Sequence, residues 1–185
     1  MNLQIDVNPN AEMELIVDPK GGDMITGKGN GNLRMEFDSY SDIKLYGTYT
    51  IDYGYYLFTL QNVIRKEFKI NPGGTISWTG SPYNAQVNIS ALYPLTASLR
   101  DLMDQDQLSS MTRTSLPVNC VLKLTENLMK PTVKFDIDLP SSDEGVKQQV
   151  RNIINTDEMM NRQIVYLLLF NKFFTPEYLR TTATN

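Results

Sequence analysis

The 185-residue chain has no histidine and one cysteine, Cys120. Without histidine, Ser-His-Asp and Cys-His catalytic arrangements are impossible, and the commonest metal ligand is missing. A single cysteine excludes an internal disulfide and a zinc site built from several cysteines. Because Cys120 lies in an alternating apolar pattern, it is predicted to be a small buried thiol rather than a reactive one. We expect no metal and no cofactor.

The chain also lacks a dominant charge and a long apolar run. Its 17 basic and 21 acidic residues give a formal net charge of −4, so attraction to nucleic acid or to an anionic membrane surface is not expected. The longest apolar run, Ile164–Phe170, is shorter than the ~18 to 20 residues that cross a bilayer.

The acidic residues fall at turns, helix starts and alternate strand positions, so nothing marks the carboxylate pair of a glycosidase. We therefore expect a protein that is not an enzyme.

Alternation of apolar residues is the strongest pattern in the chain. Residues with a period of two share one face of a strand, so the segment from Ile43 onward predicts a long ribbon with an apolar, aromatic face. The alternating residues are Ile43, Leu45, Tyr49, Ile51, Tyr53, Tyr55 and Leu57. Asn71–Gly74 and Gly80–Pro82 are interpreted as turns because proline presets φ and glycine accepts positive φ.

Similar alternation over residues 1–140 predicts about ten strands in all. The glycine-rich stretch Gly27–Gly31 lacks phosphate-loop spacing and predicts a bulged strand instead. The polar stretch at 96–115 predicts a loop. Its residues Leu99, Leu102 and Met103 have helical spacing, so a short helix remains the alternative there.

After Pro140 the apolar period changes from two to 3.6, which predicts helices over 141–175. Ser141–Glu144 has the pattern of a capping box, with a serine hydroxyl as the cap, and Asn155–Glu158 repeats the start signal. The second helix is apolar nearly all round, so we expect one face to plug the β-core and the other to meet a partner. The candidates for partner contact are Ile164, Leu167, Leu168 and Phe170. A disordered tail is predicted at 176–185.

The order of these segments resembles the C-terminal domain of the TamB family, whose members are AsmA-like, bridge-like lipid transfer proteins. Three patterns carry the resemblance: G-x-Y-x-I-x-x-G-x-Y-x-F, F-x-I-x-x-G-G-x-I-x-W-x-G-x-P and A-x-V-x-I-x-A. They are formed here by Gly47, Tyr49, Ile51, Gly54, Tyr56 and Phe58; by Phe68, Ile70, Gly73, Gly74, Ile76, Trp78, Gly80 and Pro82; and by Ala85, Val87, Ile89 and Ala91. The strand Pro131–Pro140 and the closing helix also fit the family order, so the resemblance covers most of the chain.

The resemblance implies a mainly β fold in which an elongated antiparallel or mixed sheet curls into a half-open trough, a β-taco with an apolar interior, closed by one or two C-terminal helices. Alternation alone also allows a binding β-sandwich, whose second sheet would bury the same face. The candidates for lining the trough are Leu33, Met35, Phe37, Ile43, Leu45, Tyr49, Ile51, Val87, Ile89, Val133, Phe135 and Ile137.

The resemblance further implies a periplasmic protein of diderm bacteria that links the inner and outer membranes. Its groove would conduct phospholipid acyl chains to the outer membrane. Alternatively, the domain would assemble outer-membrane proteins and autotransporters together with an Omp85-type barrel, TamA or BamA-like. Long uncovered sheet edges would also permit self-association. Because residues 1–6 alternate as a strand and do not form a secretory leader, we expect the inner-membrane anchor in another part of a longer protein.

Overall fold

The computed structural model describes residues 1–40 and 42–182. In these residues the chain is mainly β, which confirms the predicted fold class, with nine strands, a short helix between the seventh and eighth strands, and three helices after the last strand. The strands are β1 (Asn2–Val7), β2 (Glu12–Ile16), β3 (Met24–Phe37), β4 (Ile43–Leu60), β5 (Ile64–Ile70), β6 (Gly74–Gly80), β7 (Gln86–Ser98), β8 (Ser115–Asn127) and β9 (Lys130–Asp138). The helices are α1 (Gln105–Leu108), α2 (Glu144–Ile153), α3 (Asp157–Phe170) and α4 (Glu177–Thr182).

The strands form one large antiparallel sheet in the order β1-β3-β4-β5-β7-β8-β9. Strand β2 pairs with the first part of β3 (residues 24–28), and β1 pairs with its later part (residues 31–36). Strand β6 pairs with both β4 and β7. Two short strands therefore lie along each long one: β1 and β2 along β3, and β5 and β6 along β4. Both members of each set run antiparallel to the same neighbour, so they run in the same direction.

The turn predicted at Asn71–Gly74 separates β5 from β6 without reversing the chain. The chain passes Asn71–Gly73 and continues in the same direction along β4. Two backbone hydrogen bonds hold the interruption in place: Asn71 N–H donates to Ser90 O at 2.8 Å, and Gly73 N–H donates to Ile51 O at 2.9 Å. The structure therefore has a turn at Pro72 and Gly73, and both neighbouring strands supply acceptors that keep this segment within the sheet.

A β-bulge interrupts the long pairing of β3 with β4. Lys28 lies opposite Tyr53, whereas the next residue, Gly29, lies opposite Ile51. The register thus passes over Asp52, which is the extra residue of the bulge. An extra residue in a strand shifts the alternation by one, so every side chain beyond it changes face.

The bulge overturns one part of the predicted apolar face. Before it, odd-numbered residues of β4 face the core, and after it the even-numbered ones do. The residues that continue the buried face are Gly54, Tyr56 and Phe58. The residues that were wrongly predicted to continue it are Tyr53, Tyr55 and Leu57, and Tyr53 is 50% exposed.

One compact unit comprises Met1–Leu92 and Leu122–Lys134. Its apolar core includes Ile25, Ile51, Tyr56, Phe68 and Ile76, all of which are buried. The carboxylate of Asp23 fastens the start of β3 to β4. It accepts hydrogen bonds from the Tyr56 hydroxyl at 2.6 Å and from the Thr59 backbone N–H at 2.9 Å.

The other unit comprises Tyr93–Val121 and the chain from Phe135 onward. Where the sequence predicted a polar loop, β7 extends to Ser98, a 3₁₀ turn covers Leu99–Asp101, and α1 follows. The three apolar residues with helical spacing precede α1 and are buried: Leu99, Leu102 and Met103. The short-helix alternative is thus correct for the 3₁₀ helix Leu99–Asp101 and for α1, which Asp104 and Gln107 cap reciprocally.

The C-terminal helices begin with well-formed caps. In α2 the cap is Asp143, whose carboxylate accepts from Val146 N–H at 2.9 Å, so the predicted serine cap was wrong by one or two residues. In α3 the cap is Thr156, as its start signal indicated. Helix α4 occupies much of the tail predicted to be disordered, while residues 183–185 lie outside the described residues.

Candidate functional site: the apolar face of the sheet

Rows of apolar residues cross the sheet in the first unit. Cross-strand partners share a face, and successive rows are separated by two residues along each strand, so the rows form one continuous surface. The first row is Leu3, Met35, Leu45 and Gly80; the second is Ile5, Leu33, Gly47 and Trp78; the third is Val7, Gly31, Tyr49, Ile76 and Val87.

Burial on this surface increases from the first row to the third. Leu3 is 45% exposed, whereas Trp78 in the second row is 9% exposed and Tyr49 in the third is 2% exposed. Beyond the first row, Ile43 pairs with Phe37 and is 44% exposed. One face of the sheet therefore serves as core at one end and is open to solvent at the other.

A cleft of about 860 Å³ lies at the open end. Its lining comprises Met35, the segment 42–46 and the segment 79–83, so the charged residues Asp42 and Lys44 border it beside the apolar Ile43 and Leu45. The cleft exists because β6 ends at Gly80, opposite Leu45, while β4 extends further to Ile43. Its volume falls within the range of about 300–1,000 Å³ that is typical of ligand pockets.

A polar group lies unpaired at the closed end of the face. The hydroxyl of Tyr49 is buried and has no hydrogen-bond partner among the described residues. Burial raises the pKa of this hydroxyl above its ordinary value, with a smaller contribution from the charge of Asp52. The ring lies over Gly31, where an added Cβ would approach Tyr49 Cδ2 to 3.1 Å. Glycine at this position therefore makes room for the ring.

The sheet brings most of the predicted lining residues together. Those placed on the one face by register and alternation are Leu33, Met35, Phe37, Ile43, Leu45, Tyr49, Ile51, Val87 and Ile89. Four of them are buried and belong to the core: Tyr49, Ile51, Val87 and Ile89. Strand β9 carries the other three, of which Val133 is exposed while Phe135 and Ile137 are partly buried.

The predicted partner-contact residues on α3 are mostly inaccessible. Ile164, Leu167 and Leu168 are buried within the chain's own fold, so they are not accessible to a partner in this structure. Phe170 is 58% exposed, and its ring lies 5.4 Å from that of Tyr166. Of the four candidates, Phe170 is the one that a partner can reach.

Sequence reasoning missed three residues that extend the open end of the face, Leu3, Ile5 and Val7. Their alternation was visible, but nothing in it shows that β1 pairs with β3 in a register that continues the rows. Among the described residues, no group of three or more Asp, Glu or Cys side chains could hold a metal ion. Burial raises the pKa of the Cys120 thiol to about 12.

Helices in residues 1–40 and 42–182 are all too short or too polar to cross a membrane.

A family model described as the TamB C-terminal domain matches residues 1–184. No curated protein and no solved structure shows significant similarity to the chain. This family match supports a periplasmic, envelope-associated protein with a TamB-like role, and the TamB family works in an assembly module with an outer-membrane partner. Because the match spans nearly the whole sequence, the chain belongs to the TamB C-terminal domain family.

Proposed function

We propose that the open end of the apolar face binds the acyl chains of phospholipids and passes them toward the outer membrane, by binding and without catalysis. The observation that carries the proposal is the burial gradient. A face that is fully buried around Ile76 is left accessible at Leu3, Ile43 and the cleft beside Leu45. Large exposed apolar patches on soluble domains are typical of binding sites.

The free energy available from such a surface is sufficient for a lipid chain. Each methylene removed from water contributes ~0.8 kcal/mol, so burying six methylenes contributes roughly 5 kcal/mol before the entropic cost of ordering. The rows are apolar and repeat about every 6.6 Å along the strands. Because no charged side chain on these rows fixes a chain at one position, a lipid tail can move from one row to the next.

Native mass spectrometry of the purified domain tests this proposal. The domain should retain phospholipid, and Leu45→Asp should release it, because a carboxylate on the apolar row beside Met35 would have to be desolvated by the tail. The matched control is Thr48→Asp, which places the same charge on the opposite face of β4. Equal retention by both variants and the wild type would exclude acyl-chain binding at Leu45.

A second candidate function, assembly of outer-membrane proteins and autotransporters with an Omp85-type barrel, is favoured by the uncovered edge of the sheet. In the described residues, β1 and β2 each pair with β3 alone. Their outer backbone groups are therefore available to an added strand, which is a common mode of peptide recognition. Pro9 lies between them and limits this edge to two short segments.

Photocrosslinkers at Gln4 and Glu14 test this second function. Both residues lie on the edge strands and are exposed. Crosslinks to an Omp85-type barrel or to an unfolded outer-membrane protein would support assembly, with Thr96 on β7 as the control position. Crosslinks that form equally from all three positions would mean that the edge is not the recognition element.

A further inference from the structure

Residues from both faces of β4 border the cleft at the open end of the apolar face. Ile43 and Leu45 belong to the apolar face and Lys44 to the opposite one, yet all three line the cleft together with Asp42, which directly precedes β4. The reason is the early end of β6 opposite Leu45. In the described residues, Ile43 and Lys44 pair with β3 alone, so a ligand beside this short edge can contact both faces of the strand.

The two charged residues that border the cleft carry opposite charges and are not paired. Asp42 and Lys44 are exposed, and neither forms an ion pair with a described residue. Lys44 lies opposite Glu36 in the sheet, but the Glu36 carboxylate binds the guanidinium of Arg34 at 3.3 Å. The nearby carboxylate of Asp38 accepts the backbone N–H of Asp42 at 3.2 Å. One carboxylate and one ammonium group at the cleft therefore remain open to a ligand.

The mixture of apolar and charged groups restricts which lipid suits the cleft. An anionic headgroup is attracted by Lys44 and repelled by Asp42, whereas a headgroup that carries both charges is complementary to both residues. The two residues are two positions apart on an extended chain, about 6.6 Å along it, so one headgroup can contact both. A carboxylate accepts hydrogen bonds, which a primary ammonium group donates and a choline group cannot.

We propose that the cleft selects phospholipids whose headgroup is zwitterionic and carries a primary ammonium group, as phosphoethanolamine does. The phosphate contacts Lys44, the ammonium group contacts Asp42, and the tail lies along the apolar rows that contain Leu45. The long stem of Lys44 allows its ammonium group to reach around the open edge of β4 while the charge stays in water. This inference rests on acyl-chain binding in the same cleft, and it adds the two residues that decide which phospholipid is bound.

A competition among lipids tests the selection. The purified chain, freed of lipid, is incubated with vesicles that contain equal amounts of dioleoyl phosphatidylethanolamine, phosphatidylglycerol and phosphatidylcholine, and the bound lipid is quantified by mass spectrometry. Because the acyl chains are identical, the headgroup is the variable. Phosphatidylethanolamine should be enriched over phosphatidylglycerol roughly fivefold, as two exposed ion pairs allow, and it should also be enriched over phosphatidylcholine. High salt should remove the preference while lipid remains bound, since salt screens the charges.

Charge changes at the two residues assign the selection to the cleft. Asp42→Lys should reverse the preference toward phosphatidylglycerol, and Lys44→Glu should lower the retention of all three lipids roughly two- to fivefold, because each has a phosphate. Asp42→Lys combined with Lys44→Asp keeps both charges and should regain the preference for phosphatidylethanolamine. The matched controls are Glu67→Lys and Arg65→Glu, an exposed pair with the same spacing on β5 outside the cleft. Both controls should select lipids as the wild type does.

The amount and the composition of the bound lipid distinguish two kinds of failure. Bound lipid with the composition of the vesicles would overturn the selection and leave acyl-chain binding intact. Absence of any bound phospholipid would overturn both. The selection is also wrong if Asp42→Lys and Glu67→Lys change the composition equally, because the effect would then follow net charge rather than the cleft. Thermal unfolding of every variant checks that it is folded, and the competition with the wild type decides the proposal without any variant.

Discussion

Met35 and Leu45 lie directly opposite each other on β3 and β4, and both side chains line the cleft at the open end of the apolar face. If this cleft holds a lipid tail, filling it should exclude the tail without any change of charge. Leu45→Trp should lower phospholipid retention about tenfold, since each tenfold corresponds to about 1.4 kcal/mol, or roughly two displaced methylenes. Thr48→Trp on the opposite face is the control, and quantitative lipid extraction is the measurement. Unchanged retention in Leu45→Trp would place the lipid elsewhere.

The bulge at Asp52 predicts a large difference between two deletions in β4. Deletion of Asp52 would restore a regular ladder and leave Tyr53 outside and Gly54 inside, so it should cost about 1 kcal/mol, for the bond from Asn30. Deletion of Tyr55, in the regular part of the strand, would either turn Tyr56 out of the core or force Tyr53 into it in place of Gly54. It should therefore lower the free energy of unfolding by about 3 kcal/mol or more, as for other large disruptions of a core. Urea denaturation measures both, and similar losses would mean that Asp52 is not the extra residue.

Alkaline pH should destabilise the fold through Tyr56. Burial and then the hydrogen bond to Asp23 raise the pKa of Tyr56 well above its ordinary value of 10.0. The native state therefore holds the neutral phenol, and this stabilisation is fully present below pH 10 and is lost as pH rises through the native pKa. Above pH 10 the free energy of unfolding should fall by up to about 1.4 kcal/mol per pH unit for this group.

Tyr56→Phe separates this effect from the other tyrosines. The variant should be less stable at neutral pH by about 1–2 kcal/mol, since Asp23 loses a hydrogen-bond donor. Its stability should decline less steeply between pH 10 and 11.5 than that of the wild type, as measured by denaturant unfolding at each pH. Parallel pH profiles for the two proteins would show that Tyr56 ionises as freely in the native state as in the unfolded chain.

Gln163 holds the segment that follows α3. Its Nε2 donates to Phe174 O and its Oε1 accepts from Phe174 N–H, both at 2.8 Å. Gln163→Ala would leave both backbone groups without partners in a partly buried site, so it should cost about 2–4 kcal/mol. Asn161→Ala, at an exposed position of the same helix, should change stability by less than about 0.5 kcal/mol. Thermal unfolding compares the two, and equal effects would contradict a fastening role for Gln163.

Much of the fold was predictable because the two periods, 2 and 3.6, are local properties of the chain. The alternation through Leu33, Leu45 and Val87 indicated strands, and the change after Pro140 indicated helices. The bulge at Asp52 was not predictable in the same way. Tyr53 and Leu57 are apolar enough to suit the inner face as well as the outer one, so the sequence pattern continues smoothly through the extra residue.

The candidate site was only partly predictable because exposure depends on where neighbouring strands end. Leu45 and Ile89 have the same alternating pattern, yet Leu45 lines the open cleft while Ile89 is buried. The difference arises where β6 ends at Gly80, and no residue near Leu45 or Ile89 signals it. The buried Gln163 was missed for a similar reason, because its partners lie in the backbone of a later segment.

A crosslinking scan along β4 tests acyl-chain binding most directly. A photoreactive amino acid is placed in turn at Ile43, Leu45, Thr48 and Thr50, and crosslinks to labelled phospholipid are counted in cells and with the purified domain. We expect crosslinks from Ile43 and Leu45, which share the apolar face and line the cleft, and few from Thr48 and Thr50, which lie on the opposite face. Crosslinks of equal yield from all four positions, or none from Leu45, would contradict the binding of lipid tails to this face.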